Sequence, residues 1–264
     1  PTPGQAQAAF THGSLDFSQA AGSGHISVPL NTRGLPVREI TVETWIKYYA
    51  GVEWAGPVSF GQDDGNLEKG VFVSQQGATA TTTQMAFAIS TVGANTAAIQ
   101  ANGDGKMTYV TDPTTQIDMG QWRHFAGTYD GTQIKIFLDG SLKYTDSNSQ
   151  SGDIYYPDAS YEGSAGGWFT LGAYHDANEY YPINGLMDEL RIWDAALSLD
   201  EIAHSHCADS LTGTEAHLLH FWKMDETDGL AVINAVTGGQ DGMIQGNVLR
   251  QPHEDLCLYG FDHG

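Results

Sequence analysis

Two acidic turns carry the residues best suited to chemistry. Asp63, Asp64 and Asn66 fall in the run Phe60-Gly61-Gln62-Asp63-Asp64-Gly65-Asn66. Asp176, Asn178 and Glu179 fall in Leu171-Gly172-Ala173-Tyr174-His175-Asp176-Ala177-Asn178-Glu179. Calcium takes about six to eight oxygens at roughly 2.3–2.6 Å, from carboxylates, amides and backbone carbonyls, and glycines nearby let carbonyls turn inward. For one ion to use both turns, they must meet at one rim of the fold. The plainer reading is that Asp, Asn and Gly are simply what turns are made of. His175 is a poor calcium ligand and reads as a ligand-facing or solvated residue.

A second chemistry is sugar recognition, which needs aromatic faces to stack on pyranose C–H surfaces and planar polar groups for the hydroxyls. Tyr155, Tyr156, Tyr161, Trp168, Tyr174, Tyr180 and Tyr181 supply the faces, and Asp153, Asp158, Asn178 and Glu179 the polar groups. Residues 152–167 read as a long inserted loop on the same side as the later acidic turn; loops of that length are usually functional or disordered. The competing reading is that these rings roof the core, which suits Trp168 best. Trp45, Trp122 and Trp193 fall in predicted strands and read as core.

Composition narrows the partners. Of 264 residues, 32 are Asp or Glu and only 11 Lys or Arg, for a net charge of −21. Such a chain repels phosphate backbones and anionic lipid heads, which excludes nucleic acid and polybasic membrane binding. Most of the carboxylates read as a solvated acidic surface. No apolar run is long enough to insert in a bilayer. With 41% hydrophobic and 11% aromatic residues the chain can build a sizeable core. Its start at Pro1, without an apolar leader, is read as that of a processed chain or an excised segment. The two cysteines, Cys207 and Cys257, lie in no zinc-ligand spacing. One reading is a disulfide tying the C-terminal segment to the body of a secreted protein; the other is two unrelated buried thiols.

The elements that must position these residues are short alternating runs broken by Gly, Asp and Asn. Strands are predicted at residues 14–17, 25–28, 40–48, 57–61, 71–74, 85–91, 107–111, 122–129, 133–138, 142–145, 169–172 and 186–193. In residues 40–47, Ile40, Val42, Thr44 and Ile46 face one way and Thr41, Glu43, Trp45 and Lys47 the other. Asp130-Gly131 and Asp139-Gly140 have the chemistry of tight hairpin turns, which need positive φ. One helix is predicted over Leu199–Ser205, with Ser198 as N-cap and Glu201 completing a capping box. So many antiparallel strands do not fit one open sheet. The expected fold is all-β: a two-sheet antiparallel jelly-roll sandwich with one short helix. Asn102-Gly103-Asp104-Gly105 reads as a turn, lacking the distal Glu of an EF-hand loop.

Leu15-Asp16-Phe17, Ile26-Ser27-Val28 and Ile40-Thr41-Val42-Glu43-Thr44-Trp45-Ile46 resemble the opening of laminin-G-like, concanavalin-A-like jelly-roll domains. Gly120-Gln121-Trp122-Arg123-His124-Phe125 through Asp130-Gly131, and then Phe137-Leu138-Asp139-Gly140, resemble their central hairpin. Asn184-Gly185-Leu186-Met187-Asp188-Glu189-Leu190-Arg191-Ile192-Trp193, with Ala196-Leu197-Ser198 and Glu201-Ile202, resembles the closing strand and helix. The two acidic turns are similar in position to the calcium loops of pentraxins, which share the fold. The resemblance implies calcium at the rim, and a further structural cation at Asp188 with carbonyls around residues 16–18. The E-x-D-x-x-E carboxylate pattern of glycan-cleaving relatives is absent, as are G-x-S-x-G, HExxH and P-loop motifs.

Phe221-Trp222-Lys223-Met224-Asp225-Glu226 and Gly238-Gly239-Gln240-Asp241-Gly242-Met243-Ile244-Gln245-Gly246 resemble an element that usually precedes such a domain, here placed after it. The expected organisation is a laminin-G-like jelly roll over residues 1–210 and a C-terminal strand extension over 211–264. That extension either packs on its own sandwich, opens a further domain, or is donated to a neighbour. The function this implies is a secreted, non-catalytic, lectin-like module binding a glycan or polysaccharide at a calcium-supported rim. The alternative is a structural subunit of an extracellular fibre or coat that self-associates.

Overall fold

In a computed structural model, described for residues 12–19, 24–29, 34–64, 67–91, 108–112, 115–146, 151–156, 169–175, 179–206, 211–253 and 256, the chain forms two antiparallel sheets packed face to face. The strands are β1 (His12–Asp16), β2 (His25–Val28), β3 (Ile40–Ala50), β4 (Val58–Asp64), β5 (Leu67–Gln76), β6 (Thr82–Ile89), β7 (Thr108–Thr111), β8 (Ile117–Asp118), β9 (Arg123–Tyr129) and β10 (Ile134–Leu138). They continue as β11 (Ser141–Asp146), β12 (Phe169–Leu171), β13 (Ala173–His175), β14 (Tyr180–Pro182) and β15 (Asn184–Trp193). The helix α1 (Leu199–Ser205) follows, then β16 (Leu218–Trp222), β17 (Ala231–Val232), β18 (Gly242–Gln245) and β19 (Leu249–His253).

Sheet 1 has the order β11-β10-β9-β3-β15-β1-β19, with β16 sharing one edge of β15 with β1. Sheet 2 runs β17-β18-β2-β12-β4-β5-β6-β7, with β8 also on β6. Alternation sends Leu15, Val42, Ile46 and Phe125 of sheet 1 and Ile26, Val58, Phe60, Val73, Phe87 and Phe169 of sheet 2 into one buried core. The strands after residue 211 are part of both sheets: β16 pairs with β15, β18 with β2 and β19 with β1, all within this chain.

The outer face of sheet 1 is covered by α1. Ser198 accepts from the Glu201 amide and the Glu201 carboxylate accepts from the Ser198 amide, so the predicted capping box is formed. Beneath the helix, Phe137, Trp193, Leu197, Ile202, Leu218 and Phe221 form a second apolar layer. A polar knot sits beside that layer. Glu43, fully buried, accepts from the Trp193 indole at 2.9 Å and the Ser205 hydroxyl at 2.8 Å. It also meets the Arg191 guanidinium and the His124 ring, each at 3.2 Å. Arg191 in turn donates to the Ser205 carbonyl at 2.7 Å and to Glu189 at 2.7 Å. Alternation placed Glu43 opposite the core but did not say what covers it.

His220, almost fully buried on β16, stacks on Trp222 at 5.2 Å, and its Nδ1 lies 2.9 Å from the Asn234 amide nitrogen. That donor fits a neutral ring. Burial pushes the His220 pKa down to about 4, against a smaller opposing pull from the Gly34 backbone. The unfolded ring titrates near 6.5. The folded pKa is depressed, so this contribution is complete above pH 6.5 and is lost as pH falls toward 4, up to about 3 kcal/mol. Urea unfolding at pH 7 and pH 4.5 should show a steeper acid loss for the wild type than for His220→Phe, which keeps the ring but cannot take the proton. Equal slopes would refute the assignment.

Candidate functional site

The register of sheet 2 decides which loops share an end. β4 pairs with β12 so that Phe60 faces Phe169 and Val58 faces Leu171. The later acidic turn therefore leaves from the Val58 end, while β4 runs the other way to Asp63 and Asp64, whose backbones pair with Glu68 and Leu67. The six residue steps from Val58 to Asp64 span about 20 Å of extended chain. Antiparallel pairing thus puts Asp63 and Asp64 at the opposite end of sheet 2 from Leu171, where β12 ends, whereas the expectation of two acidic turns meeting at one rim needs both at one end. Asn66, Asp176, Asn178, Tyr161, Trp168, Cys207 and Cys257 lie outside the described residues.

Tyr155 and Tyr156 lie toward the Asp64 end of sheet 2, away from Leu171. The amide of Ile154 donates to Val37 and that of Tyr155 to Ser90, and Ser90 is bound to Gly70 at the Asp64 end. Tyr156 is a roof residue. Its hydroxyl donates to the Pro36 carbonyl at 2.6 Å, its ring meets Phe60 edge-on at 5.2 Å, and burial pushes its pKa well up.

Asp188 is fully buried on the outer face of sheet 1, opposite Trp45, and its Oδ1 accepts from the Glu189 amide at 2.8 Å. Asp16 pairs with Leu186 rather than Asp188, and its carboxylate accepts from the Ser18 amide at 2.8 Å. The chain from Asp16 to Ser18 therefore runs toward Asn184, away from Asp188. Among the described residues no group of three or more His, Cys, Asp or Glu could hold a metal ion. The residues around Asp188 do not fit the cation cage expected from residues 16–18.

The remaining candidates come together. Gly172, at φ +80, lets the chain leave β12 and fold back over sheet 2; a Cβ there would stand 2.0 Å from the Phe17 ring. The β13–β14 hairpin that follows lies against the outer face of sheet 2. Tyr174 packs on Phe72 at 5.3 Å and stacks with Tyr181 at 6.0 Å, with planes 28° apart. His175 lies 5.0 Å from His25 and edge-on to Tyr180 at 5.4 Å. The Tyr180 hydroxyl donates to Gly24 at 2.7 Å, and burial pushes its pKa up to about 12, so it is a neutral donor. The Tyr181 hydroxyl donates to Glu179 at 3.2 Å.

Three neighbours escaped the sequence reading. His25 and Ser27 alternate outward from Ile26 and Val28, and the register sets Gln245 opposite His25. The Gln245 amide donates to the Ser27 hydroxyl at 3.1 Å. The alternation of β2 was a signal for His25 and Ser27. Nothing local marked Gln245, which arrives from 218 residues away. The assembled surface offers stacked rings, two imidazoles, an amide and a hydroxyl, which is the polar and aromatic mixture that holds sugars.

A laminin-G-like family model, described as the concanavalin A-like lectin/glucanases superfamily, matches residues 20–203. No curated protein matches the chain in sequence. Among solved structures, the chain is similar to a protein of Bacteroides ovatus ATCC 8483 provisionally designated carbohydrate binding, with TM-score 0.64 and 16% identity over 92% of this chain. The match spans 60% of that protein's length. It is also similar to a native heptameric SAP-like pentraxin from Limulus polyphemus, with TM-score 0.59 and 16% identity over 95% of this chain and 99% of that one. At such identities the likeness is one of fold, a lectin-like sandwich. Because the family model covers most of the residues that build both sheets, this chain belongs to the concanavalin A-like lectin/glucanases superfamily.

Proposed function

We propose that this chain is a non-catalytic, lectin-like carbohydrate-binding module of a secreted protein, taking its glycan on the hairpin platform over sheet 2. The observation that carries this reading is the stacked Tyr174–Tyr181 pair beside the His175, His25 and Tyr180 rings, on a rigid sheet and close to the Ser27–Gln245 pair. The fold relatives support it, and the net charge of −21 favours neutral over acidic glycans.

The test is a glycan array probed with wild type, Tyr174→Ala and Tyr181→Ala, each with and without EDTA. Losing a stacking face costs about 1 kcal/mol, so each variant should bind roughly five- to tenfold more weakly when compared below its own melting transition, which falls somewhat because Tyr174 and Tyr181 also pack on the core. EDTA is expected to leave binding intact, since the reading relies on rings and amides. Binding lost with EDTA would return a cation to the recognition chemistry and overturn that part. Retention of no glycan by the wild type would overturn the whole.

A further inference from the structure

We propose that Met243 is a reversible oxidation site beside the platform, where hydrogen peroxide, by turning its thioether into a sulfoxide, lowers glycan affinity. The effect on binding rests on the reading above; the oxidation itself does not. The placement comes from register. Where β18 pairs with β2, Met243 stands directly opposite Ser27 and Gln245 opposite His25. Ile244 lies in the core, so Met243 points outward on the face that carries Ser27. Side chains opposed in this way have Cβ atoms about 4.5–5.5 Å apart.

Exposure sets Met243 apart from the other methionines of the chain. Met85, Met187 and Met224 are each at most 4% exposed, and Met119 packs against the core. Met107 lies outside the described residues. Met243 leaves 46% of its surface open to solvent, where a peroxide can reach the sulfur. The sulfur lone pair attacks one peroxide oxygen and the O–O bond breaks. Sulfur gives up two electrons and becomes the sulfoxide. The other oxygen takes the remaining proton and leaves as water.

The consequence follows from what holds the Ser27 hydroxyl. It accepts from the Gln245 amide at 3.1 Å, and its own proton goes to the Met243 carbonyl at 3.4 Å, a long bond that a better acceptor displaces. A thioether is a weak acceptor, whereas a sulfoxide is strongly polar. The sulfoxide oxygen stands three bonds beyond the Met243 Cβ, within reach of a hydroxyl whose own Cβ is about 5 Å away. Once it takes the Ser27 proton, that hydroxyl no longer donates to a sugar. Met243 is thus a positioning residue that acts through Ser27, outside the contact surface itself.

Peptide mapping by mass spectrometry in dilute hydrogen peroxide should find Met243 oxidised ahead of Met85, Met119, Met187 and Met224. Affinity for the strongest glycan of the array should then fall by about fivefold, the worth of one ordinary hydrogen bond. The melting temperature should stay the same, and methionine sulfoxide reductases should restore the affinity. Met243→Leu should bind as the wild type does and keep its affinity through the same treatment. Ser27→Ala should bind more weakly from the start and lose nothing further on oxidation. Met243 oxidised no faster than the buried methionines would overturn the site. Affinity unchanged on oxidation, or lost equally in Met243→Leu, would overturn its link to binding and leave the platform reading standing. A wild type that retains no glycan would overturn the platform reading, and the peptide map would still decide the oxidation site.

Discussion

Glu43→Ala should lower stability by about 3–5 kcal/mol, because it takes from the buried Arg191 one of its two carboxylates, leaving only Glu189, and strips the buried His124, Trp193 and Ser205 side chains of theirs. For a chain of this size that corresponds to a fall in Tm of roughly 10 °C. Glu43 holds four groups at once: the Trp193 indole, the Ser205 hydroxyl, Arg191 and His124. Through Ser205 and the Arg191 contact to the Ser205 carbonyl, it fastens the end of α1 to sheet 1. Burial alone would raise the Glu43 pKa, but Arg191, His124 and Ser205 outweigh it and hold it down to about 2. The folded pKa is depressed, so this contribution is complete above the ordinary carboxylate value of about 4.5 and disappears as pH falls toward 2. Urea unfolding of wild type and variant should therefore differ fully at pH 7 and converge at strongly acid pH. The triple variant Glu43→Leu, Arg191→Met and Glu189→Gln should recover much of the loss, since Arg191 also pairs with Glu189 and a buried ionic group costs more to break than to replace. A single-variant loss under about 1 kcal/mol at pH 7 would contradict this account.

A chain cut after residue 210 should fail to fold cooperatively. The strands that follow finish both sheets, and they carry Phe221, Trp222, Met224, Val232 and Ile244 into the interior, each at most 4% exposed. Trp222 lies 5.8 Å from the Phe169 ring of sheet 2, so its loss opens the centre of the sandwich. Burying a large apolar side chain is worth about 1.5–3 kcal/mol, and five of them on the order of 10 kcal/mol. That equals the whole net stability of an ordinary domain. Circular dichroism of the truncated chain should show no sharp thermal transition, with strong binding of a hydrophobic dye. A sharp melt within a few degrees of the full chain would show that the last strands are an appendage.

Local chemistry was legible in the sequence. Ser198 and Glu201 marked the start of α1, and both halves of their reciprocal bond are formed. Asp139 and Gly140 both adopt positive φ, at +52° and +69°, as a tight hairpin between β10 and β11 requires. Alternation in β3 sorted Val42 and Ile46 from Glu43 and Trp45, because a strand's period of two is a property of the backbone itself. What alternation cannot say is which strand lies alongside and what covers the outer face. Pairing β4 with β12 is what set Asp63 and the Leu171 end of β12 at opposite ends of the sheet. Pairing β18 with β2 is what brought Gln245 to Ser27. Docking α1 over sheet 1 is what turned Glu43 and Arg191 into a buried pair. Each of these depends on contacts between residues far apart in the chain, where register is chosen by the packing of the whole sandwich and no neighbouring residue records the choice.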